Sequence, residues 1–175
     1  MTDKIQTTLR DSAAMRWTAL LLLSLAMFCA YIFVDILSPI KELMQEQRGW
    51  DSTAFGTMQG SETFLNVFVF FLIFAGIILD KMGVRFTAIL SGAVMLTGAL
   101  IKYYAISDSF AGSALDVWFT DHLNHIPVFE QLGVSPFYEG MPASAKVAAC
   151  GFMIFGCGTE MAGITVSRGI VKWFK

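Results

Sequence analysis

The sequence predicts an all-α membrane protein with four transmembrane helices, and three observations predict it. Apolar runs at 17–37, 54–79, 86–106 and 146–169 are each long enough to cross the hydrocarbon core, which takes about 20 helical residues. Of the 175 residues 55% are hydrophobic and 15% charged, and the mean hydropathy is +0.62, too apolar for a soluble domain of this size. Lysine and arginine divide unequally between the two sides. One side receives Lys4, Arg10, Arg16, Lys81, Arg85, Arg168, Lys172 and Lys175, the other Lys41, Arg48, Lys102 and Lys146, which places both termini in the cytoplasm.

Residues 1–16 form a cytoplasmic tail. The run that follows is too long for a signal peptide, and Met27-Phe28 before Cys29 is too bulky for a lipoprotein cleavage site, so it reads as a retained span. Asp35 interrupts its far end, and Ser38-Pro39 ends the helix. A charged connector follows, with Trp50 expected at the membrane interface. The second span carries Gly56 and Gly60 in a G-x-x-x-G arrangement suited to close helix packing, then Glu62. Residues 17–106 thus hold three helices, the third ending in Lys102-Tyr103-Tyr104 as an interfacial anchor.

Residues 107–145 are a long outer loop, polar and acidic, with Pro127, Pro136 and Pro142. Phe110, Ala114, Leu115, Trp118 and Phe119 recur at helical spacing, which reads either as a short amphipathic helix on the membrane surface or as a loosely ordered loop. His122 and His125 lack a third ligand and read as solvated residues. The fourth span, 146–169, is dense in glycine, Gly156 and Gly158 among them, and 170–175 return to the cytoplasm. Cys29, Cys150 and Cys157 all lie in apolar runs and read as packing residues.

Three carboxylates inside the spans stand out, because each costs about 2.5–3.5 kcal/mol at a helix centre on insertion scales. Asp35 and Glu62 lie toward the outer face, and Glu160 lies ~21 Å along the fourth helix from Lys146, near the midplane. Intramembrane acids mark substrate or proton pathways, so the three are the candidate substrate-binding residues. No nucleophile with a base and no metal set accompanies them, which argues against an enzyme.

The turn joining the second and third spans reads Gly76-Ile-Ile-Leu-Asp80-Lys81-Met-Gly83-Val-Arg85. Gly83 suits the positive φ of a tight turn, Gly76 a close helix approach, and Asp80 can pair with Lys81 or Arg85 or face a helix N-terminus. This spacing resembles the loop between helices 2 and 3 of the major facilitator superfamily of secondary transporters. Gly156-Cys-Gly158-Thr-Glu160, with Val171-Lys-Trp173-Phe174-Lys175, resembles helix 4 in the branch of the lysosomal dipeptide uniporter and its bacterial relatives, and Tyr31, Asp35 and Pro39 match that branch more loosely.

The resemblance covers 16–106 and 145–175. It implies alternating-access transport of small molecules, dipeptides or related amino-acid compounds, with Glu160 receiving the substrate amine and Gly76, Asp80, Lys81, Gly83 and Arg85 forming a conformational latch. Where many members of the superfamily have an arginine before the G-x-G, this chain has Phe152, which argues against proton coupling. The chain is then expected to be the first four helices of such a transporter, unable to transport alone and lying in the plasma (inner) membrane. The implied partners are a small-molecule substrate, the lipid bilayer and helices 5–12, with no cofactor and no nucleic acid. An organic or inorganic anion is the alternative cargo, and a non-transporting four-helix membrane scaffold is the alternative from another class.

Overall fold

The structure, a computed structural model, describes residues 12–124 and 126–174, without the side chain of Trp173. The tail through Asp11, His125, the Trp173 side chain and Lys175 therefore lie outside the described residues. Among the described residues the chain is all-helical with no strand. Helices α1 (Ala13–Asp35), α2 (Lys41–Arg48), α3 (Ser52–Gly60), α4 (Phe64–Phe68), α5 (Phe71–Ile106), α6 (Ala114–Asp121), α7 (Pro127–Gln131) and α8 (Ala143–Trp173) follow in order. Three helical stretches are long and apolar enough to cross a membrane: Ala13–Arg48, Phe71–Ile106 and Ala143–Lys172.

The central element is α8, against which α1, α3, α4, α5 and α6 all pack. It can serve so many neighbours because its inner faces are small. Ala145, Ala148 and Ala149 are fully buried, and a Cβ on Gly151 would meet the Lys102 backbone nitrogen at 2.8 Å, one on Gly158 the Ser91 carbonyl at 2.8 Å. Gly98 of α5 is equally tight, facing the backbone of Gly151 and Phe155. Such close backbone approach supplies van der Waals contact, the kind that holds apolar helices together where lipid is the solvent.

The 36 residues of α5 are two helices joined at Gly83, whose φ of 82° and ψ of 168° are not helical. Ser91 lies against Gly158 and Gly98 against Gly151, so residues 84–106 run antiparallel to α8. A straight continuation at 1.5 Å per residue would carry Phe71 ~33 Å along the axis from Gly156. Yet the Asn66 side-chain amide donates to the Gly156 carbonyl at 3.4 Å, and the chain from residue 66 to 71 spans at most ~18 Å. The helix must fold back at Gly83. A residue without a Cβ takes that positive φ without steric cost.

On the returning side, Trp50 bonds to Ser144 at 2.8 Å, Ser61 to the Ala149 carbonyl at 3.0 Å, Asn66 to Gly156 and Asp80 to Arg168. Residues 50–80 therefore run parallel to α8 along most of its length. The expected unbroken span at 54–79 is interrupted twice there. Residues Ser61–Thr63 form a 3-10 turn, where the Ser61 hydroxyl also bonds to the Met58 carbonyl at 2.6 Å, the local competition for backbone that serine brings to a helix. Phe70 then takes a left-handed φ of 54°, a conformation that costs a bulky L-residue roughly 1–2 kcal/mol.

Three further expectations are corrected. Gly56, Gly60 and Gly76 are not close-packing glycines within this chain, since a Cβ on any of them would meet nothing within 4 Å. Trp50 is not an interfacial anchor but 1% exposed, its indole N–H satisfied by Ser144. Lys102, expected at the interface, is buried, because it follows Gly98 by one helical turn and shares its face toward α8. The 107–145 segment contains α6 and α7 and docks on the start of α8.

These glycines give a direct check. Gly98→Val and Gly156→Val should each destabilise the fold by about 3 kcal/mol or more, because backbone would have to move, whereas Gly56→Ala should leave stability unchanged or raise it by up to about 1 kcal/mol. Thermal unfolding of the three variants in one detergent, with monodispersity as a control, measures the contrast.

Candidate functional site

The candidate site lies where the broken stretch meets α8. Gly156 has no side chain, so the 3-10 turn presses its backbone onto α8, and a Cβ there would run into the Glu62 carbonyl. This approach carries the half-buried Glu62 side chain into electrostatic range of Glu160, Lys102 and Asp35. Glu62 of the 3-10 turn thus feels Glu160 of α8, Lys102 of α5 and Asp35 of α1, and Lys102 in turn feels Glu62 and Asp35. Asp35 is exposed, 3.5 Å from the Gln59 amide, which also donates to the Val34 carbonyl at 2.9 Å and so ties the end of α1 to α3. Glu160 is half-buried.

The lysine is the residue that sequence reasoning missed. Lys102 is 2% exposed, its ammonium makes no hydrogen bond, and it lies between two aromatic faces, 3.8 Å from the centre of the Phe152 ring and 5.0 Å from that of Phe33. Cation–π attraction of a desolvated ammonium reaches about 2 kcal/mol or more. The available signal was its helical phase with Gly98. Phe152 supports a cation brought from the neighbouring helix. Phe33 also stacks on Phe155, centre to centre at 4.6 Å, and this aromatic set attaches α1 to the rest.

No protein family, curated protein or solved structure matches the chain. What the site can do is thus argued from its own geometry.

At the opposite end, Gly83 makes the tight turn and Lys81 and Arg85 are exposed beside it. Asp80 pairs with neither of these. Its partner is Arg168 of α8, and the two border a cavity of about 360 Å³ together with Leu79, Val84 and Val171. The pair is largely exposed, so its contribution to stability is small. Its geometric effect is to join the turn to the end of α8.

The 107–145 segment is fastened by polar contacts. Lys146, fully buried, donates to the Phe119 carbonyl at 2.7 Å, the His122 carbonyl at 3.2 Å and the Asn124 side chain, and so caps the C-terminus of α6. The His122 ring lies flat on Trp118 with centres 4.6 Å apart. Arg48 bonds to Asp108 at 2.6 Å. Asp51 accepts from the Ala54 N–H at 2.6 Å as the N-cap of α3 and from the Tyr138 hydroxyl at 2.9 Å. The Ala54 N–H first, and Tyr138 next, hold the Asp51 carboxyl below its ordinary 3.8, while burial and then the Asp51 bond push the Tyr138 hydroxyl up to about 12.

The signs are opposite. The lowered Asp51 contributes stability that is present above its unfolded value and lost as pH falls through the folded one; the raised Tyr138 contributes stability that is full below about 10 and lost as pH rises through the folded value. Tyr138→Phe should therefore lower the unfolding temperature most near neutral pH, with the gap to the parent narrowing both below about pH 4 and above about pH 11. Melting curves of the two proteins across that range give the test, and a gap independent of pH would separate the bond from any role in titration.

Proposed function

We propose that the chain forms helices 1–4 of an alternating-access secondary transporter of the major facilitator type, with α1, 52–82, 84–106 and α8 as four membrane crossings and the Gly83 turn and Arg168 on the cytoplasmic side. The cargo is a dipeptide or related amino-acid compound. The observation that carries this reading is that Glu62, at a break in a long apolar stretch, stands within electrostatic range of Glu160 and Asp35 on two other elements. Secondary transporters build their sites near the midplane from discontinuous helices, where freed backbone and side chains face the substrate. Acids in that position are otherwise too costly to keep. The fold-back at Gly83 and the Asp80–Arg168 pair support the reading, because rocking of one bundle against another needs a defined latch at one face.

In this scheme Glu160 takes the substrate ammonium. Glu160→Gln keeps the shape and removes the charge, so affinity for a free dipeptide should fall by about 2–5 kcal/mol, on the order of 30-fold to several thousand-fold. A purely structural acid would lose no more than about 1 kcal/mol, since glutamine still bonds. Binding of free and N-acetylated dipeptides is to be measured on the parent and on Glu160→Gln, expressed from the complete reading frame. Acetylation should weaken binding to the parent and matter little to the variant. Equal sensitivity in both would refute the assignment.

A further inference from the structure

Charge is divided between the two ends of the molecule. Trp17 meets Phe174 edge to face, with ring centres 5.9 Å apart, which brings the start of α1, and Arg16 with it, to the end of α8. The Gly83 turn reaches the same place, since Asp80 bonds to Arg168. Among the described residues that end therefore collects Arg16, Lys81, Arg85, Arg168 and Lys172, with Asp80 as the acid among them. At the opposite end, across 41–51 and 107–146, acids outnumber lysine and arginine.

The basic end is also concave. The cavity of about 360 Å³ between the Gly83 turn and α8 has Asp80, Arg168 and Lys172 on its polar side and Leu79, Val84 and Val171 on its apolar side. Both cations are within reach of a ligand there, because the Arg168 side chain keeps 56% of its surface exposed and Lys172 is exposed. Asp80 engages the guanidinium through one oxygen at Nη1. A guanidinium offers five N–H donors in a planar fork, so its geometry has room for a second anion. Lys81 and Arg85, exposed on the turn, add attraction without lining the cavity. A phosphate group, with its several acceptor oxygens, matches this donor set. The apolar side and the exposed Phe86, Val171 and Phe174 nearby suit tails attached to such a group.

We propose that this cavity binds an anionic phospholipid, its phosphate received by Arg168 and Lys172 and its acyl chains running past Val84 and Val171 onto the outer surface of the helices. Basic pockets between membrane helices on the cytoplasmic side hold such headgroups, and the topology proposed above puts this end there. The inference rests on that topology and not on the cargo.

The full chain, purified in neutral detergent, is titrated with dioctanoyl phosphatidylglycerol, and bound lipid is counted by native mass spectrometry. One molecule should bind at least about 10-fold more tightly than dioctanoyl phosphatidylcholine, which has the same tails. That preference should shrink as ammonium acetate is raised, because exposed charges are screened. Glycerol phosphate, a headgroup without tails, should not displace the lipid. Arg168→Gln with Lys172→Gln should weaken the anionic lipid about 10- to 30-fold and leave phosphatidylcholine unchanged. Lys41→Gln with Arg48→Gln removes the same charge from the opposite end and should affect neither lipid. Val84→Trp fills the cavity, keeps every charge and should also weaken the anionic lipid, which separates a seat in the cavity from general attraction to a basic surface. Equal affinity for the two lipids, equal weakening by the two double substitutions, binding unaffected by Val84→Trp, or displacement by glycerol phosphate would overturn the proposal. Such a failure leaves the Glu160 reading standing, since dipeptide binding is measured separately.

Discussion

The close approach of residues 84–106 to α8 is the contact on which the rest of the structure depends. Gly98 on one helix and Gly151 and Gly158 on the other bring two backbones together over several turns. In a bilayer there is no hydrophobic gain from pairing two apolar helices, so shape must supply the attraction, and small residues do so by increasing the number of atoms in contact. The same approach explains why α8 is the most buried long helix, while α1 leaves Leu21, Leu25 and Phe28 outward.

Once α8 is enclosed on that face, its other face decides where polar groups can go. Gly156 admits the Glu62 turn, and the turn in turn brings a carboxylate within electrostatic range of Glu160. Lys102 is trapped between Phe33 and Phe152 because the Gly98–Gly151 contact leaves its side chain no path to water. Retaining an ammonium so enclosed costs several kcal/mol relative to water, and only part of that returns from the rings. Packing and charge are thus coupled in one helix: the glycines that hold α8 against its neighbours also create the places where its acids and its cation are held.

The apolar runs, the turn at Gly83 and the tight packing of Gly156 and Gly158 could be read from the sequence, since each follows from local pattern or from a residue type with one physical use, whereas helical spacing at 114–119 left a helix and a loop equally open. Neighbour identity could not. Gly56 and Gly60 have the spacing of a packing motif and face open space, whereas Gly98 and Gly151, unremarkable by spacing, meet one another. Lys102 and Trp50 are expected at the interface because that is where long amphipathic side chains usually rest; each is buried by a tertiary partner far away in sequence. The interruption at Ser61–Thr63 likewise depends on Ala149, 88 positions away, taking the Ser61 hydrogen bond.

The fold-back at Gly83 is where this architecture is most exposed to test, since the parallel course of 50–80, the place of Glu62 against α8 and the Asp80–Arg168 pair all require it. Spin labels on cysteines at the exposed positions Leu72 and Tyr103, with Cys29, Cys150 and Cys157 replaced, report it in a single distance measured by pulsed electron resonance. A hairpin bent at Gly83 places the two labels about 15–25 Å apart, from the difference in arm lengths and the 8–10 Å between packed helices. A distance near 47 Å, the length of a straight helix between those positions, would contradict the account.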